Sequence, residues 1–151
     1  MEELLKLLVE KHLTIGSAES MTGGLFASSF TSIPGASKAF LGSVVTYSMV
    51  EKVKLLHVNP VTIVDHGIVS EEVAKEMAKG GRKLLGVDIC VSITGNAGPT
   101  TEPGGQPVGR YYIGLATKNG AKVFQGDGTG DRNQIRNEAL LQILSILKSE
   151  I

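Results

Sequence analysis

Apolar residues recur along this chain in two periods that alternate from one segment to the next. Leu4, Leu5, Leu8 and Val9 fall at helical spacing, so residues 2–12 read as a first helix. The apolar "LTIGSA" that follows is a short strand candidate. From Thr22 to about Ser32 the helical period returns through Leu25, Phe26, Ser29 and Phe30, and the turn signal "IPGAS" closes it. "FLGSVVTYS" (40–48), rich in β-branched and aromatic residues, predicts a strand. "MVEKVKLLHV" then reverts to helix spacing through Val50, Val53, Lys54 and Leu56–His57.

The clearest helix covers residues 70–86. Ser70 is its N-cap candidate, and Glu71 and Glu72 suit the positive end of the dipole. Val73, Met77, Ala78 and Leu84–Leu85 make its apolar side, and Gly86 stops it. "DICVSIT" (88–94) reads as a strand buried on both faces. After a long Gly/Pro segment, "GNAGPTTEPGGQPVG", come two strands, "GRYYIGLAT" and "AKVFQ", around an Asn-Gly turn. Asp131 then caps a last helix with Ile135, Ala139, Ile143 and Ile146–Leu147 on its apolar face. Helices interleaved with strands, followed by a late hairpin, predict an α/β fold: a three-layer α/β/α sandwich with a mixed sheet. No linker, repeat or low-complexity tract interrupts the pattern, so residues 1–151 read as one domain.

Composition narrows the class. Fifteen basic and fifteen acidic residues cancel, leaving no global field to recruit nucleic acid or an anionic membrane. The chain has no tryptophan and few other aromatics, which argues against a base-stacking platform. No apolar run approaches the ~20 residues that span a bilayer, and the start is acidic and amphipathic, unlike a secretory signal. The single cysteine, Cys90, has no internal disulfide partner, so a reducing cytoplasm is the expected compartment. His12, His57 and His66 show no metal-ligand spacing, and no metal is expected. Nineteen glycines without a repeat point to several tight backbone turns.

Three polar segments follow strand candidates, where open α/β sheets bind ligands: "AESMTGG" (18–24), "TYSMVEK" (46–52) and "TGNAGPTTEPGG" (94–105). In the first, Ser20 or Thr22 suits the N-cap of the new helix, and taken alone the residues favour that role. The same free N–H groups also suit a developing oxyanion, and Gly23 and Gly24 permit close approach of a ligand. The segment matches neither Gly-x-Ser-x-Gly nor the phosphate loop. In the second, Lys52 shielded from water becomes a usable general base, and Tyr47 beside it can relay or orient a proton. With a serine they form a nucleophile of the Ser/Lys type. Lysines are mostly exposed, so the bare residues favour a solvated Lys52. Arg132 and Arg136 stand one turn apart at a helix start, a spacing that suits either a phosphate clamp or surface ion pairs. "SILK" (145–148) fits Ser-x-x-Lys but lies on an ordinary amphipathic helix.

These segments, in this order, resemble the C-terminal domain of the competence/damage-inducible CinA family. The matching stretches are "AES-TGG" (18–24), "PGAS" (34–37), "TYS---K" (46–52), "HGIVSEEV" (66–73), "TG-AGP" (94–99), "PVG" (107–109) and "GDR--IR" (130–136). Stand-alone versions of that domain are nicotinamide-nucleotide amidases, which convert nicotinamide mononucleotide (NMN) to nicotinate mononucleotide and ammonia in pyridine-nucleotide salvage. The resemblance implies Ser20 as nucleophile, Lys52 as its base and Tyr47 as an aid to proton transfer. It implies a substrate site drawn from Glu19, Thr22, Gly23, Gly24, Thr94, Gly95, Ala97 and Gly98, with Arg132 or Arg136 on the phosphate. Thr22 keeps the capping role. No cofactor is implied, and relatives commonly self-associate, so a homo-oligomer is expected. The nucleotide-pyrophosphatase domain of longer relatives is not among these residues, and its activity is not expected here.

Three positions depart from the family pattern: Met21 stands where cysteine is usual, Met49 replaces the asparagine of "YSN", and Asn96 replaces an aliphatic residue. Met49 and Asn96 favour a competing reading, a catalytically weakened ligand-binding or interaction module. The retained Ser20, Tyr47 and Lys52 oppose it. An amidase for a different small amide is the third reading.

Overall fold

The structure is a computed structural model that describes residues 1–151. Its chain runs α1 (Glu2–Glu10), β1 (Ile15–Glu19), α2 (Leu25–Thr31), a 3-10 turn (Ala36–Lys38), β2 (Phe40–Val45) and α3 (Met49–Leu56). It continues through α4 (Pro60–His66), α5 (Glu71–Leu85), β3 (Ile89–Gly95), β4 (Arg110–Thr117), β5 (Gly120–Asp127) and α6 (Arg132–Glu150). The sheet order is β2-β1-β3-β4-β5. β1 pairs in parallel with β2 and β3, and the two later pairs are antiparallel, as a late hairpin requires. No helix is long and apolar enough to cross a membrane.

Alternation along the central strands divides the core in two. Ile15, Ile89, Val91, Ile93, Ile113 and Leu115 face a larger cluster with Leu4, Leu8, Phe26, Phe30, Ile135 and Ile143 from α1, α2 and α6. Ala18 and Cys90 face a smaller one with Leu56, Ile63, Val73 and Met77 from α3, α4 and α5. The result is the mixed-sheet α/β/α sandwich expected from the interleaved pattern. Burial pushes the Cys90 thiol up to about 12.

Local signals act largely as expected. The Ser70 hydroxyl accepts from Val73 N–H at 3.3 Å, Gly86 ends α5 with φ 63°, and Asp131 closes a capping box with Gln134. Two expectations are corrected. α2 begins at Leu25 rather than Thr22, because Gly23 and Gly24 take left-handed φ of 59° and 99°. α4 lies in a stretch with no expected helix; Asn59 caps it through Val61 N–H at 2.9 Å and Pro60 opens it.

The packing of α3 on α5 positions the site. A Cβ built at Gly80 would meet the Leu56 carbonyl oxygen at 1.9 Å. A Cβ at Gly81 would meet Cys90 Sγ at 2.7 Å and Ala18 Cβ at 3.0 Å. The paired glycines let α5 approach both α3 and the sheet more closely than any side chain allows. Gly80→Ala should therefore destabilise the domain by about 1–3 kcal/mol through overpacking against backbone. A thermal melt followed by circular dichroism should show a midpoint lowered by roughly 2–10 °C. An unchanged or raised midpoint would mean that helix propensity outweighs the contact.

Candidate active site

β1 ends in a buried carboxylate. Glu19 has no exposed surface, and its oxygens accept from the N–H groups of Gly24 (3.0 Å), Phe26 (3.2 Å) and Ala27 (3.0 Å). The hydroxyls of Ser17 and Ser43 add contacts of 3.1 and 3.3 Å. This corrects two expectations. Glu19 is not open to substrate, because a carboxylate out of water needs donors and the start of α2 supplies them. Thr22 does not cap that helix: its fully buried Oγ1 has no partner, and Glu19 does the capping from five residues upstream of Gly24. Gly23 N–H donates to the Ser20 carbonyl at 3.0 Å. Within the loop, the N–H groups of Met21 and Thr22 make no hydrogen bond in the protein.

The second segment supplies a buried lysine. Ser48 caps α3 by accepting from Glu51 N–H at 3.3 Å, and the next residue, Lys52, points inward. Lys52 is 0% exposed, contrary to the preference of an ordinary lysine. Its Nζ donates to Ser20 Oγ at 2.8 Å and to the Thr46 carbonyl at 2.6 Å. Burial pulls its pKa down to about 8, so a neutral amine is accessible near physiological pH. Once neutral, the amine can accept the Ser20 proton across the same contact.

Ser20 opens into a chamber of about 170 Å³, whose lining includes the apolar Met21, Ile68, Val69 and Ala97 together with Thr94 and Gly95. A wider groove of about 490 Å³ shares Tyr47, Gly95, Asn96 and Arg132 with it and adds His66, Glu102 and Gln106. Gly95 must be glycine, since a Cβ there would meet Tyr111 Cβ at 2.5 Å and the Arg110 carbonyl oxygen at 3.0 Å, besides Met21 Sδ at 2.3 Å. Gly98 lines the groove, and the Thr94 hydroxyl donates to the Ile68 carbonyl at 2.9 Å. Tyr47 is 61% exposed, and its phenol accepts from Arg132 Nη2 at 2.9 Å rather than bonding Ser20 or Lys52. Arg132 Nη1 donates to the Gly98 carbonyl at 2.7 Å, so this arginine bridges two walls of the groove.

The expected residues thus fall into two groups. Ser20, Tyr47, Thr94, Gly95, Ala97, Gly98 and Arg132 line the chamber or groove, with Lys52 directly behind Ser20. Glu19, Thr22, Gly23, Gly24 and Arg136 line neither. Arg132 and Arg136 do not clamp one ligand: Arg136 Nη2 turns to the Thr22 carbonyl at 2.7 Å.

A family model for the CinA C-terminal domain matches residues 1–151. The chain belongs to the CinA family. A CinA-like protein of Fusobacterium nucleatum is 47% identical over 137 residues, 91% of this chain and 33% of that protein. Another, of Chlorobaculum tepidum, is 46% identical over 158 aligned positions, 99% of this chain and 37% of that protein. The chain therefore spans about a third of the length of the curated relatives it matches. Among solved structures, the competence damage-inducible protein A of Klebsiella pneumoniae superposes with TM-score 0.95 at 27% identity, covering 98% of this chain and 92% of that one. The competence/damage inducible protein of Agrobacterium tumefaciens gives 0.87 at 31% identity, with 97% and 94% covered.

The CinA domain's wall residues Ile68 and Val69 escaped a chemical reading of the sequence. Their signal was two apolar residues in a loop just before the Ser70 cap, outside any periodic run. Of the two departures that weighed against catalysis, Met49 is 40% exposed at the start of α3 and lines neither the chamber nor the groove. Asn96 has a visible task. Its Oδ1 accepts from Gly98 N–H at 2.9 Å, and its Nδ2 donates to Thr101 Oγ1 at 3.1 Å and the Gln106 carbonyl at 3.0 Å. It staples the glycine-rich loop that forms the groove. Asn96→Val should speed amide hydrogen exchange over residues 98–106 roughly tenfold, while global stability falls by only about 1 kcal/mol. Unchanged exchange in that loop would remove the stapling role.

Proposed function

We propose that this CinA domain is an amidase that hydrolyses NMN to nicotinate mononucleotide and ammonia, with Ser20 as nucleophile and Lys52 as general base. The observation that carries this reading is the 2.8 Å contact between a buried lysine and the hydroxyl at the floor of a chamber. The small, partly apolar chamber suits a pyridine ring bearing a carboxamide. The groove beyond it, with Arg132 at the junction, suits the ribose phosphate.

The chemistry proceeds in two displacements. Neutral Lys52 takes the Ser20 proton as Oγ bonds to the carboxamide carbon, and the carbonyl electrons move onto oxygen. The unpaired N–H of Met21, which lines the chamber beside Ser20, is the donor for that oxyanion. Collapse breaks the C–N bond, and Lys52 returns the proton to the departing ammonia. Water then attacks the acyl-serine, Lys52 accepts its proton, and Ser20 regains it as the acid leaves. Tyr47 holds Arg132 against the groove and stands outside this proton path.

Purified protein incubated with NMN should release ammonia and nicotinate mononucleotide in equal amounts. Ser20→Ala and Lys52→Ala should each lower kcat by about a thousandfold or more. Ammonia from another small amide but none from NMN would reassign the substrate; no turnover of any amide at high enzyme concentration would remove the activity. The pH profile has a definite sign. Lys52 must be neutral to act, so kcat/KM should rise about tenfold per pH unit below its pKa and level off above about 8. A rate that falls over that range would exclude Lys52 as the base.

A further inference from the structure

The loop between Ser20 and Gly24 is gripped from opposite sides by groups of opposite charge. Glu19 holds the Gly24 N–H and the first turn of α2 from beneath. Arg136, on the first turns of α6, reaches across to the Thr22 carbonyl with Nη2 at 2.7 Å. Its Nη1 meets Asn133 Oδ1 at 3.0 Å, and its buried Nε has no acceptor in the protein. The Thr22 carbonyl already accepts from Leu25 N–H at 3.1 Å, so it does not need Arg136 to satisfy it. A charged side chain that leaves a donor unpaired to reach an acceptor already in use is poorly explained by stability alone.

The consequence lies in the peptide units. The unit between Thr22 and Gly23 is fixed at both ends, by Arg136 together with Leu25 N–H on its carbonyl and by the Ser20 carbonyl on its N–H. The next unit is fixed through Gly24 N–H by Glu19. With the second half of the loop locked, the units flanking Met21 are held from one side, and the Met21 N–H stays unpaired beside Ser20 at the chamber. We infer that Arg136 is a positioning residue that, through the Thr22 carbonyl, sets the oxyanion donor of Met21, rather than a ligand for substrate. It lines neither the chamber nor the groove, which separates it from Arg132. The inference rests on Ser20 being the nucleophile, but not on NMN being the substrate.

A fluorophosphonate tests it without any natural substrate. Ser20 Oγ bonds to phosphorus, fluoride leaves, and the serine proton passes to Lys52, while the phosphoryl oxygen occupies the oxyanion position. With Ser20 and Lys52 unchanged, the rate of Ser20 labelling, read by mass spectrometry on the whole chain, reports the Met21 donor. Arg136→Met removes an unpaired buried donor as well as the bond to Thr22, so its melting midpoint should shift little. Its labelling rate should fall about tenfold to a hundredfold. Arg136→Lys, which keeps the charge and one bond, should recover part of that loss, and it decides the matter if the methionine variant fails to fold. Unaltered labelling in whichever variant folds overturns the role, as does absence of Ser20 labelling in the unsubstituted protein. Labelling that depends on Arg136 in a protein inert to NMN would reassign the substrate and leave the positioning role standing.

Discussion

The Glu19 carboxylate is the constraint from which the site follows. Placing it at the buried end of a central strand costs several kcal/mol in lost hydration unless donors surround it. The nearest donors are the N–H groups of the segment that comes next, so the chain must fold back at once. That return needs left-handed backbone, which Gly23 and Gly24 provide. Ser20 is thereby left at the crest of a tight loop. The same carboxylate also receives Ser43 from the neighbouring strand, tying β2 to the loop.

Lys52 is tied to the serine through the sheet. The Glu19 carbonyl accepts from Thr46 N–H at 2.9 Å, extending the parallel pairing of β1 and β2 past the end of β2. The Thr46 carbonyl then accepts from Lys52 Nζ, so one residue links the strand register to the lysine head. Behind it, α3 is fixed by the glycine contact with α5. The Ser20 hydroxyl and the Lys52 amine are therefore set by β1, α3 and α5 together rather than by loops alone, which is how such a pair keeps its geometry.

How much of this the sequence disclosed depends on the kind of signal. Where a period and a cap coincide, as in α5 with Ser70 and α6 with Asp131, side and boundary were both legible. α4 escaped because only Ile63 of its seven residues is buried while Val61 and Val64 face outward, so no apolar stripe marks it. The capping of α2 was assigned to the wrong group for a similar reason. Cap rules look for a hydroxyl at the helix edge, and here a carboxylate acts from the preceding strand. Lysine burial has no local signature at all; only the family resemblance raised Lys52 above a solvated surface residue. The two arginines show the limit of spacing. Residues one turn apart share a helix face, yet their long side chains turn to different loops.

Cys90 lies on the far side of β3, pressed against Gly81 in the narrow seam between the sheet and α5. Its thiol is sealed from solvent and held almost wholly protonated. Thiol reagents therefore find no accessible thiol in the folded domain, and Met21 puts none in the serine loop. The only route to that sulfur is separation of α5 from the sheet, the seam on which the placement of α3 and its lysine depends. The lone thiol is thus a natural clock for the loss of the packing that places Lys52 against Ser20.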